Sequence, residues 1–448
     1  MNSIWSEKQP RILSKEKTLP ERVEVVIIGG GIAGLLCAFL LKEAGIETIV
    51  LEADRVCSGQ TKNTTAKITS QHELIYDKLT KVFGEETAGY YGQINQKAID
   101  EYERIVNERK IQCGFERLPA FLYTKTGEGA SKLEKERTAA KKAGIPATIV
   151  YETQLPFRVK AALKYEQQAQ FHPLEFLSEI AKELDIYEYT RVICVEGHEV
   201  VTERGNVTAE TIVFATHFPF VNFPGLYFAR MHQERSYVLA LRPRRPKDLN
   251  GMYYGIDADG LSLRNAGELV LLGGSGHRTG VVPEEDPYEK LRKEARRLWK
   301  DYEEVACWAA QDCMTLDSLP YVGQFSRNTP DWYVMTGFRK WGMTGAMAAA
   351  MAIRDMLIGQ SSLEWEIFSP QRKFTLEAGK NLLMELGNTI VNFATWKRPR
   401  CPHLGCRLVW NSYEKTWDCP CHGSRLREDG TVIDNPAQEA KEIEKKDV

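Results

Sequence analysis

No apolar run in this chain approaches the roughly 18 residues that cross a bilayer. The longest candidates are interrupted: Thr211 to Phe228 by His217, Pro219 and Pro224, and Met343 to Ile358 by Arg354 and Asp355. The first 22 residues lack the apolar core of a secretory signal and carry Lys8, Arg11, Lys15, Lys17 and Arg22 instead. An excess of one charge is also lacking. Lys and Arg number 59 against 61 Asp and Glu, a formal net charge of −2. Bulk electrostatics therefore supply no attraction for nucleic acid or an anionic surface. Internal repeats and low-complexity tracts are absent. These absences predict a cytoplasmic protein with no membrane span and no nucleic-acid partner.

What is present is ordinary for a globular chain: 448 residues, 43% hydrophobic and 27% charged, enough for roughly two or three domains. Of 10 cysteines, six are scattered (Cys37, Cys57, Cys113, Cys194, Cys307, Cys313), as plain core residues are. The other four, Cys401, Cys406, Cys419 and Cys421, crowd into 21 residues near the C-terminus, a density that calls for a metal reading.

Residues 23–28 (VEVVII) are β-branched and nearly all apolar, as a strand buried on both faces is. Gly29, Gly31 and Gly34 follow in the G-x-G-x-x-G spacing, and Ile32 to Ala44 reads as a buried helix closed by Gly45. A second strand at 47–51 ends at Glu52. The first glycine permits the tight turn, the second lets a pyrophosphate approach the backbone, and the third lets helix and strand pack closely. The helix N-terminus, at Ile32 and Ala33, offers free N–H groups to phosphate. Glu52, with Ala53 beside it, stands where an acid accepts from the adenosine ribose. Only one such motif occurs; Gly273 to Gly276 opens no helix. A single dinucleotide site favours a bound flavin over a pair of soluble cofactors.

Further along, residues 68–142 read as mostly helical, 171–184 as an amphipathic helix, and 191–195, 211–216, 234–241, 252–256, 268–273 and 332–336 as strands. A small-residue helix is predicted over 343–358. Residues 371–393 form a further helix with Leu376, Leu383, Leu386, Ile390 and Phe393 near one face, read as a tether.

VVIIGGGIAGLLCAFLLKEAG with Glu52 and CSGQTKNTTAKITS, then FHPLEFLSEIAKEL, TIVFATHFPF and TGFRKWGMTGAMAAA, resemble the FAD-dependent oxidoreductases of the D-amino-acid oxidase and glycine oxidase type. The resemblance covers about residues 23–360. It implies an α/β architecture: a Rossmann-like FAD-binding fold (23–70, 165–217, 318–360) with an inserted mixed-sheet substrate domain (71–164, 218–317). It places Thr61, Asn63 and Thr64 along the flavin, Val192 near the adenine, and Ala215 and Thr216 at the turn closing the site. Gly337, Gly342, Met343 and Thr344 fall in the C-terminal flavin loop. Some relatives attach FAD through a histidine where Asn63 stands here, so non-covalent FAD is expected. The Arg that binds the substrate carboxylate in these relatives is missing from Ala309-Ala310-Gln311-Asp312, which argues against simple α-amino acids. Candidate catalytic groups are His217, His277 and Arg339; each also has an ordinary structural reading.

The C-terminal cysteines are spaced with histidines as Cys401-x-His403, fifteen residues, then Cys419-x-x-His422. A structural zinc site of Cys₂His₂ type is one reading. The full string CPHLGC…CPCHGS closely resembles a Rieske [2Fe–2S] protein, in which two thiolates hold one iron and two imidazoles the other. That resemblance makes Cys401, His403, Cys419 and His422 the ligands and pairs Cys406 with Cys421 in a disulfide. Two departures follow from it. The strands expected before the first ligand loop are missing, so the base of the module is shortened. The Tyr that high-potential members carry two positions after Ser424 is Leu426. The division expected is an extension (1–22), a flavin unit (23–362), a helical linker (363–395) and a Rieske module (396–448). The combined expectation is an enzyme that oxidises a small organic donor, such as an amine or an amino-acid derivative, at FAD and sends electrons through the cluster to an external acceptor such as a small redox protein. The alternative is an oxygen-using FAD oxidase with a structural or regulatory metal-binding tail.

Overall fold

The structure, a computed structural model, describes residues 2–8, 18–245, 247–394 and 399–441. Among these, three sheets carry the fold. The first has eight strands and is built around Arg22–Ile28, which pairs in parallel with Thr48–Leu51 on one side and Gly205–Phe214 on the other. Thr329–Thr336 continues the parallel order beyond Gly205–Phe214, and Tyr321–Ser326 closes that edge antiparallel. The helix Ile32–Glu43 packs on this sheet with ten consecutive buried residues, Ile32 to Leu41. Its close approach is set at Gly34, where a Cβ would stand 1.9 Å from the Gly29 carbonyl oxygen.

The second sheet has nine strands, with Tyr302–Thr315, Met231–Pro243, Leu269–Arg278, Ser262–Ala266, Met252–Gly255, Glu116–Thr124 and Ala161–Gln170 as its main members. The 68–142 stretch is therefore not wholly helical. Helices Ile75–Phe83, Glu85–Glu108 and Gly127–Lys142 are present, but Glu116–Thr124 is a strand between them. Its pairing with Ala161–Gln170 shifts register between Leu118 and Ala120, around Pro119, which has no N–H to give a ladder. The small-residue helix runs Gly342–Leu357 and is buried on most of its surface.

The helix Leu376–Ala394 precedes the third sheet, four short strands at Val409–Asn411, Thr416–Asp418, Arg425–Leu426 and Val432–Asp434. These strands lie between and after the two cysteine–histidine loops. In place of a long base, the small sheet leans on the nine-stranded sheet. Arg235, 2% exposed, makes a two-pronged contact with Glu414, which also accepts from Arg425 at 2.9 Å and from the Tyr237 hydroxyl at 2.9 Å. Burial opposes charge at Glu414, but the Arg235 and Arg425 charges outweigh it and hold the carboxyl down at about 2. No described helix is long and apolar enough to cross a membrane.

Candidate redox site

A cavity of about 1120 Å³ opens along the first sheet, ample for a dinucleotide and a small donor. Gly29, Gly31, Ile32, Ala33, Glu52 and Ala53 line one end, with Val192, Ala215 and Thr216. Gly29 has φ +114°, and a Cβ there would lie 2.6 Å from the Ala215 oxygen. The Thr61 hydroxyl accepts from the Ile32 N–H at 3.0 Å. Glu52 takes the Gly30 and Asp54 N–H groups at 2.7 and 2.9 Å, which fixes its carboxylate at the strand end. Gly31, which precedes the helix, supplies no side-chain cap, so the N–H groups beyond Ile32 are left for a phosphate. Thr61, Asn63, Thr64, Gly337, Gly342 and Met343 continue the wall. These features fit FAD. Two expected residues sit outside the wall: Gly34 acts through packing, and Thr344 is buried, its hydroxyl accepting from Thr69 N–H at 2.8 Å.

The three candidate catalytic residues all line this cavity. Their surroundings differ. Both ring nitrogens of His277 are engaged, one with the Tyr237 hydroxyl and one with the Arg278 carbonyl, each at 2.9 Å. Arg339 is bonded to Glu73 at 2.9 Å. His217 has φ +67° and a buried Nε2 with no hydrogen-bond partner; burial lowers its pKa. Sequence reading missed Lys67 and Asp312, which also line the cavity. Lys67 is buried with its Nζ on the Ser262 hydroxyl, and desolvation, helped by the Arg264 charge, takes it down to about 7. Asp312 is pushed up to about 6 by burial.

The two C-terminal loops share one backbone design. In the first, Cys401 N–H donates to Cys406 oxygen and Gly405 N–H to Cys401 oxygen, at 2.8 and 2.9 Å. In the second, Cys419 N–H donates to Ser424 oxygen and Gly423 N–H to Cys419 oxygen, again at 2.8 and 2.9 Å. Gly405 and Gly423 take φ of +77° and +85°, which closes each loop. The loops bring His403 and His422 together, ring centroids 5.0 Å apart and planes at 89°. Both Nδ1 atoms are buried without a partner. Burial lowers His403 to about 4 and His422 to about 3, so both are neutral lone-pair donors at pH 7. Cys401 and Cys419 are buried beside them. Two orphaned imidazole nitrogens and two buried thiols, carried on two matched loops, fit the [2Fe–2S] ligand set. His403 Nε2 bonds the Asn222 side-chain oxygen at 2.7 Å, which leaves Nδ1 as the ligating atom. Cys406 and Cys421 stand as free thiols, in contrast to the expected disulfide. Their Sγ atoms lie within 4.8 Å of each other and of Cys419, so the pairing is a matter of oxidation state rather than of reach.

The cluster loops and the flavin cavity meet. Val432, Asp434, Asn435 and Ala437 form part of the cavity wall. Asn435 donates to the Thr216 and Phe218 carbonyls at 2.5 and 2.8 Å, clamping the turn that closes the flavin site. Gln233 bonds the His422 carbonyl at 2.7 Å, and Gln311 bonds both Gln233 and the Gly423 carbonyl at 2.7 Å. Gln60, within the CSGQTKNTT string, bonds Asp434 at 2.7 Å. A Cβ on Gly423 would stand 2.5 Å from Gln233 Cβ.

The FAD dependent oxidoreductase family model matches residues 24–356, and the Rieske [2Fe-2S] domain model matches residues 394–445. The chain belongs to the FAD-dependent oxidoreductase family. It carries a Rieske domain at its C-terminus, so the protein binds FAD and a [2Fe–2S] cluster. A Bacillus subtilis protein, YhfW, named as a Rieske 2Fe-2S iron-sulfur protein, is 35% identical over 92% of this chain and 92% of its own length. Gamma-glutamylputrescine oxidoreductase of Escherichia coli is 22% identical over 82% of this chain and 91% of its own. The solved L-proline dehydrogenase of P. horikoshii shares the fold with a TM-score of 0.67 at 20% identity, covering 79% of this chain and 98% of that one.

Proposed function

We propose that this FAD-dependent oxidoreductase oxidises a small amine donor and delivers the electrons, through its own Rieske cluster, to an external acceptor. Bound FAD supplies two-electron oxidation of a C–H bond, and a Rieske centre carries one electron at a time. The single observation that carries the reading is the wall the two sites share. The segment Val432 to Ala437 of the cluster module lines the flavin cavity, and Asn435 is bonded to its closing turn.

The amine assignment rests on charge. Asp257, Asp259, Glu284, Glu285 and Glu294 line the outer part of the cavity, with Lys290 among them. Asp312 stands further in. Such a surface draws a cationic donor and repels a carboxylate. The name of the Escherichia coli relative, a gamma-glutamylputrescine oxidoreductase, also points to an amine. Inside, Lys67 near pH 7 is poised to take a proton from an ammonium group, giving the neutral amine that oxidation needs. His217, Arg339 and His277 then orient the donor, with Arg339 itself anchored by Glu73.

The test is anaerobic. Small primary and secondary amines, with hydroxy acids as controls, are added to the holoprotein. The expected result is flavin bleaching by an amine, followed by the rhombic EPR signal of a reduced Rieske centre. An amine that bleaches the flavin and leaves the cluster oxidised contradicts the reading.

A further inference from the structure

The helix Leu376–Ala394 is packed the wrong way round for a soluble protein. Leu376, Leu383, Met384, Leu386, Ile390 and Val391 are between 41% and 91% exposed. Phe393, at its end, is also exposed. At 100° per residue these positions cover roughly half the circumference. The other half faces the protein through specific polar bonds. Glu377 pairs with Lys78 at 2.8 Å, and Asn381 donates to the Leu316 carbonyl at 2.7 Å. Glu385 takes Arg278 at 2.6 Å and His232 at 3.1 Å. The Asn392 carbonyl accepts from Arg407 N–H at 3.1 Å. The orientation is thus fixed by bonds that turn the apolar side outward.

We propose that this outward face lies on the surface of an anionic lipid bilayer. Charge supports that occupant. Both carboxylates of the 371–394 segment are paired to the body, and Arg372 is bound to Asp317. The charges left facing solvent are Lys373 and Lys380. Phe374, just before the helix and 52% exposed, adds an aromatic residue beside them. Apolar side chains flanked by aromatic and basic residues are the pattern of a helix lying in a membrane interface. The near-zero net charge of the whole chain does not oppose this, because such attraction acts within about a Debye length. Size argues against a second copy. A stripe about 26 Å long and about 10 Å wide would bury roughly 500 Å² in total between two copies, well below the 1,200–2,000 Å² of stable pairs.

The face continues toward the cluster. The helix touches the turn Tyr227–Ala229. Phe228 in that turn stacks edge-on against His422 at 5.7 Å and near the exposed Phe223 at 6.1 Å. The proposal goes beyond the donor-to-cluster reading and does not depend on it, since binding is measured without turnover.

The test is flotation of the holoprotein with vesicles of phosphatidylcholine alone or with phosphatidylglycerol. The expected result is several-fold greater binding to the phosphatidylglycerol vesicles. Leu383→Glu with Ile390→Glu is expected to lower binding at least ten-fold while flavin absorbance and the cluster EPR signal stay unchanged. Lys373→Gln with Lys380→Gln is expected to weaken binding to anionic vesicles only. Absence of flotation, or flotation undiminished by the glutamates, overturns the proposal. So does a wild-type dimer in solution that the glutamate pair converts to monomer, because the face then belongs to a second copy.

Discussion

Replacing Glu414 by Gln withdraws one negative charge from between Arg235 and Arg425 at the junction of the two modules. Both arginines are nearly inaccessible, at 2% and 5% side-chain exposure. The Glu414 pKa falls from the usual 4.5 to about 2, which corresponds to roughly 3 kcal/mol favouring the charged form. Removing one partner of a buried pair costs about 3–5 kcal/mol by general experience, so the two routes agree. The perturbation is local to docking: Glu414 belongs to the cluster module, and Arg235 to the nine-stranded sheet. The assay is urea unfolding at pH 7, followed by the visible circular dichroism of the cluster and by flavin fluorescence. E414Q is expected to lower the stability reported by the cluster by about 3 kcal/mol and to separate its transition from that of the flavin. The sign with pH is fixed. A depressed carboxyl stabilises above its unfolded value, so the wild-type advantage is complete above about pH 4.5 and shrinks as pH falls toward 2. A difference under about 1 kcal/mol at pH 7 would refute the idea that this ion cluster replaces the missing base of the module.

Other outcomes follow from single residues. Gly29→Ala, whose Cβ meets the Ala215 oxygen at 2.6 Å at a φ of +114°, is expected to weaken FAD binding at least ten-fold by fluorescence titration while the cluster signal persists. Gly423→Ala does the reverse: with φ +85° and a 2.5 Å contact to Gln233, it is expected to lose iron while keeping flavin. With an amine donor, the rate of flavin reduction rises with pH through about 7 as Lys67 loses its proton, and Lys67→Met abolishes that limb; a limb unchanged in the variant refutes the role. Leu426, fully buried where high-potential relatives carry a hydroxyl, sets a midpoint below the top of the roughly −150 to +300 mV Rieske range, read by redox titration.

Local patterns were legible in the sequence, and contacts between distant segments were not. The first strand, glycine turn and helix announce themselves because all their signals lie within 30 residues, 23–52. The cluster ligands do so for the same reason, since two six-residue loops carry every ligand. The strand Ala161–Gln170 was invisible: AALKYEQQAQ is rich in helix formers, and pairing on both sides overrides that preference. The contacts joining the modules come from residues with no local mark, among them Gln60, Gln233, Arg235, Gln311, Glu414 and Asn435, brought together only by the fold. The apolar stripe of the 376–394 helix was readable, but its outward orientation depends on Glu377, Asn381 and Glu385 finding partners elsewhere.

Stopped-flow reduction of the holoprotein by its donor, followed separately at flavin and cluster wavelengths, tests most directly whether the two centres work as one electron path. Cluster reduction is expected to follow flavin reduction at a rate independent of protein concentration, as transfer within one molecule requires. A rate that rises in proportion to protein concentration, or a cluster that stays oxidised beside a reduced flavin, would contradict it.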